Sequence, residues 1–241
     1  MLLGAASATA LATGVGAIPV FFLGSGARAL RPFLWGLASG VMGVAAIAGL
    51  LMPALDEGTT AQVLGGLIGG LVFLAVARRG LQSADPHVAG LHGADLRTAI
   101  LTFGVLSVHS LPEGLAIGTA YASETAGLGL FVIVAIAIQN VPEGTSVSIP
   151  MSEAGFGRAW LFWGAVLTSA PQPAGALAAY ALVEEVDALL PVSFAFAGGA
   201  MLALVAIEML PTAVRGGRLS AALGILGGAG AMLAFSLALG V

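Results

Sequence analysis

Long apolar runs dominate the sequence, and each has about the length that crosses a lipid bilayer. A membrane-spanning helix needs about 20 predominantly apolar residues in succession. The runs recur with short connections and predict eight spans, numbered here in chain order: 2–24, 33–54, 61–80, 96–121, 126–150, 157–182, 190–211 and 218–240. The pattern predicts an all-α polytopic membrane protein, with residues 1–241 forming a single transmembrane domain within the lipid bilayer.

Composition agrees with this prediction. Hydrophobic residues make up 59% of the chain and charged residues only 8%, whereas soluble domains carry about 25% charged residues. The absence of cysteine excludes a disulfide framework and a thiolate metal site. With so few charges, we expect no nucleic-acid partner.

The positions of the arginines predict how the chain is oriented. There is no lysine, and the eight arginines are Arg28, Arg31, Arg78, Arg79, Arg97, Arg158, Arg215 and Arg218. All lie in or beside the connections between spans 1 and 2, 3 and 4, 5 and 6, and 7 and 8. Because cytoplasmic loops are enriched in positive charge, we expect both termini outside the cytoplasm, in a plasma (bacterial inner) membrane.

One polar pattern occurs twice, in spans 4 and 5. Residues 109–114 read His-Ser-Leu-Pro-Glu-Gly, and residues 139–144 read Gln-Asn-Val-Pro-Glu-Gly. The first and fifth positions of each copy are four residues apart and therefore share one face of a helix. If the two spans lie side by side, four ligand side chains can converge: His109, Glu113, Gln139 and Glu143.

A carboxylate in the bilayer centre is costly, at about 2.5–3.5 kcal/mol on insertion scales. No arginine lies near the middle of these spans to pair with Glu113 or Glu143. The two carboxyls are therefore neutral or share a cation, and a divalent metal fits the accompanying imidazole. A proton-only or purely structural polar cluster is the alternative. One nitrogen with several oxygens suits Zn²⁺, Fe²⁺, Mn²⁺, Co²⁺ or Cd²⁺ and disfavours Cu(I).

Other features of the two copies fit a site between helices. Pro112 and Pro142 cannot donate to the carbonyls four residues earlier, and each frees one backbone oxygen. Gly114 and Gly144 would allow close packing of the helices that carry them.

Several residues outside the repeated pattern are weaker candidates. Glu208 in span 7 is either an exit-path ligand or a carboxylate that reaches water near the interface. Gln172 lies between Pro171 and Pro173, where we expect a broken helix. Its side chain either lines the site or only satisfies the backbone groups that the break leaves unpaired. A connecting segment holds His87, His92 and Asp95, which capture metal in the cytoplasm or form an ordinary polar loop.

An internal repeat is also visible. Residues 39–42, Ser-Gly-Val-Met, resemble residues 198–201, Gly-Gly-Ala-Met, and each stretch is followed about ten residues later by Pro53 or Pro211. Because spans 2 and 7 run in opposite directions, the match suggests an inverted repeat of spans 1–3 and 6–8 flanking spans 4 and 5. Inverted repeats around a midplane site are a recurring transporter plan.

These motifs resemble the ZIP (Zrt/Irt-like protein) metal transporters, particularly their prokaryotic branch. The resemblance implies uptake of divalent metal, chiefly zinc, toward the cytoplasm by alternating access, in which spans 1, 4, 5 and 6 move past spans 2, 3, 7 and 8. It also implies a homodimer and the four metal ligands named above.

The sequence departs from this family at a second metal position. Some members bridge two metals with the same glutamates, and the further ligand positions here are Ser110, Asn140 and Gln172, none of which is charged. We therefore predict a single-metal site, or one with a very weak second metal. A metal-binding sensor and an intramembrane metalloenzyme are the other functions considered. No His-Glu-x-x-His motif is present, and we expect that the chain is not an enzyme.

Overall fold

The computed structural model describes residues 1–83 and 94–240, and all regular structure in these ranges is helical, as predicted. The α-helices are α1 (Leu2–Val15), α2 (Ile18–Leu23), α3 (Arg31–Ala46), α4 (Met52–Glu57), α5 (Thr60–Ser83), α6 (Ala94–Ala122), α7 (Leu128–Glu153), α8 (Arg158–Thr168), α9 (Pro171–Glu185), α10 (Leu190–Leu204), α11 (Leu210–Gly216) and α12 (Arg218–Leu239). Short 3₁₀ segments cover Gly24–Leu30 and Asp187–Leu189, and π-helical segments cover Ile47–Leu51 and Val205–Met209.

Seven helical stretches of the described chain are long and apolar enough to cross a membrane. They are Leu2–Leu23, Gly26–Glu57, Thr60–Gly80, Ala99–Ala122, Leu128–Glu153, Leu190–Gly216 and Arg218–Leu239. They correspond to predicted spans 1–5, 7 and 8, so the chain is a polytopic membrane protein.

Predicted span 6 is not one uninterrupted helix. It consists of α8 and α9, which are separated at Ser169 and Ala170. The break has a local cause, since Pro171 and Pro173 lack the N–H groups that would continue the ladder of α8, and Pro171 begins α9. The broken helix expected beside Gln172 is therefore confirmed, while the count of eight spans stays a prediction.

Spans 2 and 7 are subdivided in the same way, as an internal repeat requires. In each, an α-helix passes into a five-residue π-helical segment and then into a short α-helix with a proline at its second position. Pro53 and Pro211 each deprive a carbonyl in the preceding π segment of its usual partner, which explains the wider turn there.

Glycines bring the helices of two pairs into backbone contact. A Cβ on Gly40 of α3 would collide with the carbonyl of Ile225 in α12, and one on Gly70 of α5 would collide with the carbonyl of Phe196 in α10. These pairs join span 2 to span 8 and span 7 to span 3, which are equivalent pairs under the predicted repeat. Gly65, by contrast, has no described neighbour within 4 Å of such a Cβ.

The two ends of the helix bundle differ in charge. At one end Arg28 pairs with Glu153, and Gly216 packs against Pro32, which brings together three of the four connections that carry arginine. At the other end, Glu57, Glu124 and Glu184 line a cavity of about 570 Å³. We refer to these as the arginine-rich end and the acidic end.

We predict that Gly40→Ala destabilises the fold by about 1–3 kcal/mol, because the added methyl group overpacks the α3–α12 contact. Gly43→Ala on the same helix is the matched control, since a Cβ there meets no described atom within 4 Å. Thermal unfolding in detergent compares the two. Equal midpoints would show that the α3–α12 contact does not depend on glycine.

Candidate metal centre

The polar residues of the repeated pattern lie inside the helix bundle. Together with Gln172 of α9, they belong to residues that are at most 3% exposed: His109, Ser110 and Glu113 of α6, and Gln139, Asn140 and Glu143 of α7. Buried polar groups require hydrogen-bond partners or a bound ion, so the arrangement of their atoms indicates what the site can bind.

Glycine positions the helices around the site. A Cβ on Gly114 would collide with the backbone of Gln172 in α9, and one on Gly144 would collide with the carbonyl of Thr13 in α1. The expected close packing at both glycines is therefore confirmed. The α-helices continue through Pro112 and Pro142, so neither proline ends the helix that carries it.

Amide groups surround the carboxyl of Glu113. Gln139 Nε2 donates to Glu113 Oε1 at 2.6 Å, and Gln172 Nε2 donates to Glu113 Oε2 at 2.5 Å. The Glu113 and Glu143 carboxyls also lie close enough to interact electrostatically. Three of the four predicted ligands thus lie together, on two neighbouring helices.

The carboxamide of Gln172 is held in a fixed orientation by two further donors. Thr9 Oγ1 donates to Gln172 Oε1 at 3.0 Å, and Asn140 Nδ2 approaches the same oxygen at 3.3 Å. Asn140 Nδ2 also donates to the carbonyl of Thr9 at 2.7 Å. Thr9 was not among the sequence candidates, although its spacing of four from Thr13 places both hydroxyls on one face of a mainly apolar helix.

Four buried atoms of metal-ligand type have no hydrogen-bond partner among the described residues. They are His109 Nδ1, Gln139 Oε1, Glu143 Oε1 and Glu208 Oε2. Leaving such atoms unpaired is unfavourable by about 1–3 kcal/mol each, and more when they are charged. The three oxygens offer lone pairs, as does His109 Nδ1 when the imidazole proton is on Nε2, so a cation would satisfy them; for Glu208 Oε2, the guanidinium of Arg78 at 3.6 Å is already such a cation.

Glu208 connects the site to the arginine-rich end. Its Oε2 atom lies 4.0 Å from His109 Nε2 and 3.6 Å from Arg78 Nε. Its carboxyl also lines a cavity of about 240 Å³ together with Arg31 and Thr212, which belong to that end. The contact with Arg78 could not be predicted from sequence, because Arg78 lies near the end of its span and only its long side chain reaches Glu208.

Some predicted participants are placed differently. Among residues 1–83 and 94–240, no three His, Cys, Asp or Glu side chains surround a common point closely enough to hold an ion. The recorded contact of His109 is with Glu208, and Ser110 donates within its own helix to the carbonyl of Leu106 at 3.0 Å. His87 and His92 lie outside the described residues, and Asp95 is described only as part of α6.

The family profile described as ZIP zinc transporter matches residues 77–236, which include both copies of the motif and Glu208. The chain belongs to the ZIP zinc transporter family. It is 32% identical to "Zinc transporter GufA" of Myxococcus xanthus over 86% of this chain and 85% of that protein. It is 31% identical to "Zinc transporter ZIPB" of Bordetella bronchiseptica over 95% of this chain and 78% of that protein.

A plant relative is longer. The chain is 33% identical, over 86% of its own length, to a protein of Arabidopsis thaliana of which it spans 34%. The family resemblance predicted from the motifs is therefore confirmed. ZIP proteins are transporters, which agrees with the expectation that this chain is not an enzyme.

We predict that Gln172→Leu destabilises the protein by about 1–3 kcal/mol, since it leaves Glu113 Oε2 without the amide that now donates to it. Ser110→Ala is the control, because within the described part of the chain the Ser110 hydroxyl donates to a carbonyl of its own helix and to no other helix. Chemical unfolding monitored by tryptophan fluorescence measures both. If Gln172→Leu loses no more stability than Ser110→Ala, the hydrogen bond from Gln172 to Glu113 does not stabilise the fold.

Proposed function

We propose that this ZIP protein carries a divalent metal cation, with Zn²⁺ as the preferred substrate, through a site formed by His109, Glu113, Gln139 and Glu143. The observation that supports it most is the set of unpaired, buried lone-pair atoms on α6 and α7. Their nitrogen and oxygen chemistry also suits Cd²⁺, Fe²⁺, Mn²⁺ and Co²⁺, which we propose as competing substrates. The names of the bacterial relatives support zinc.

The proposed direction is inward. Under the positive-inside rule the arginine-rich end faces the cytoplasm, so both termini lie outside, in the plasma (bacterial inner) membrane. The acidic cavity then faces the metal supply, and the cavity beside Glu208 leads away from the site. We propose Glu208 as the ligand that receives the ion on its way to the cytoplasm.

Helix packing supports an alternating-access mechanism with two moving parts. Gly114 and Gly144 join α6 to α9 and α7 to α1 by backbone contact, while Gly40 and Gly70 join α3 to α12 and α5 to α10. We call the first four helices one set and the last four the other. Helices joined in this way move together more readily than they separate. Between the sets, Thr119 and Ser193 share a hydrogen bond of 2.5 Å that must break when one set slides past the other. The family resemblance also supports assembly as a homodimer.

One ion occupies the proposed site. Gln172 Nε2 donates to Glu113 Oε2 and so presents an uncharged N–H group, and not a ligand oxygen, on the side where a second metal would lie. Asn140 and Thr9 orient this amide, and neither adds negative charge. Two divalent ions would bring four positive charges against two carboxylates.

We predict that Glu143→Gln abolishes zinc uptake into proteoliposomes, because it removes the carboxylate that carries a free oxygen in the site. Glu185→Gln, at the exposed end of α9, is expected to transport like wild type. Size-exclusion chromatography verifies that both variants are folded. If wild type binds zinc but does not move it, the transporter proposal fails and a metal-sensing protein becomes the better explanation.

A second prediction concerns stoichiometry. Wild type should bind one zinc ion per chain in the membrane site, whereas Gln172→Glu should bind two, because a third carboxylate replaces the amide donor beside Glu113. Calorimetric titration of the detergent-solubilised protein counts the sites. Two tight sites in wild type would contradict the proposal, and Gln172→Asn serves as the neutral control.

A further inference from the structure

The feature that the proposed function leaves unexplained is a permanent cation on the path of the transported cation. Arg78 Nε lies 3.6 Å from Glu208 Oε2, the same oxygen that lies 4.0 Å from His109 Nε2. The pair is largely shielded from solvent, with Arg78 31% and Glu208 24% exposed at the side chain.

A carboxylate beside an imidazole is itself a good pair of ligands for a divalent metal. If the oxygen of Glu208 were free, an ion leaving the central site would meet this pair and stay there. An ion pathway works only when binding is weak enough for the ion to leave. The geometry therefore calls for a group that weakens metal binding at this point.

The guanidinium of Arg78 has the required properties. It remains charged at every physiological pH, so its competition for Glu208 does not depend on protonation. It is attached to α5, which packs with α10 by backbone contact at Gly70, and so it stays beside the helix that continues to Glu208. It also approaches the buried oxygen from a helix outside the central site.

We infer that Arg78 is a tethered competitor of the transported metal: it occupies Glu208 when the metal is absent, yields that oxygen as the ion passes, and returns to expel it toward the arginine-rich end. This inference rests on the proposed function. Arg78 is thereby a residue that sets the rate of release, and it does not act as a metal ligand.

The test compares zinc binding and zinc uptake in the full chain. Arg78→Gln should bind zinc more tightly, and its uptake should show a lower KM together with a lower maximal rate, each by up to about fivefold, as expected for loss of a partly exposed ion pair. Arg79→Gln removes the neighbouring, exposed charge and should match wild type. Combining Arg78→Gln with Glu208→Gln should abolish the tighter binding, because the carboxylate that would retain the ion is then absent.

Arg78→Lys tests the same idea in a protein that keeps the charge. Its binding constant should stay within about twofold of wild type, since an ammonium also competes for the carboxylate. The inference is overturned if Arg78→Gln binds zinc like Arg79→Gln, if the double variant still binds more tightly, or if Arg78→Lys tightens binding fivefold.

Binding and uptake separate this inference from the proposed function. Absence of uptake by wild type overturns the transport proposal, whatever the binding constants are. Uptake by wild type with unchanged kinetics in Arg78→Gln overturns only the role of Arg78.

Discussion

Two carboxyl groups buried in the middle of a membrane protein are the constraint on which the rest of this structure depends. Glu113 and Glu143 differ in their hydrogen-bond partners. Both oxygens of Glu113 accept amide N–H groups, whereas Glu143 keeps an oxygen without a partner among the described residues. Glu113 is thus oriented by the protein, and Glu143 retains capacity for a ligand.

Holding this arrangement requires helices that approach more closely than ordinary side chains allow. Gly114 and Gly144 provide that approach directly beside the two glutamates. The break between α8 and α9 places Gln172 at the same level, where its amide reaches Glu113. Small residues and interrupted helices are tolerated in membranes where neighbouring groups satisfy the freed backbone. The break also has a side-chain contact to α1, since the hydroxyls of Thr13 and Ser169 share a hydrogen bond of 2.6 Å.

Charge is graded along the molecule from one end to the other. Glutamates line the cavity at the acidic end, paired carboxyls occupy the interior, and Glu208 leads to a cavity beside Arg31. Such an order attracts a cation at one end and weakens its binding toward the other. The Arg78–Glu208 contact lies on the arginine-rich side of this gradient, where the proposed exit requires metal binding to weaken.

Much of this protein could be predicted without a structure, because membrane insertion imposes simple rules on sequence. Span length follows from bilayer thickness, and the spacing of His109 and Glu113 places them on one helix face whatever surrounds them. The same reasoning identified Glu143, Gln139 and the break at Gln172. It could not decide which glycines meet another helix: a Cβ on Gly66 or Gly70 would collide with α10, whereas one on Gly65 would meet no described atom within 4 Å.

The sequence by itself determined which residues are too polar for the membrane and therefore need partners: Glu113, Glu143, His109 and Gln172. Only the tertiary structure determined which residues are those partners. Thr9 holds the amide of Gln172 from a helix more than 160 residues away in the chain, and the side chain of Arg78 reaches Glu208 from another span. Local rules of helix geometry act over a few residues, whereas hydrogen bonds between helices depend on rotation and depth, which packing of the whole bundle sets.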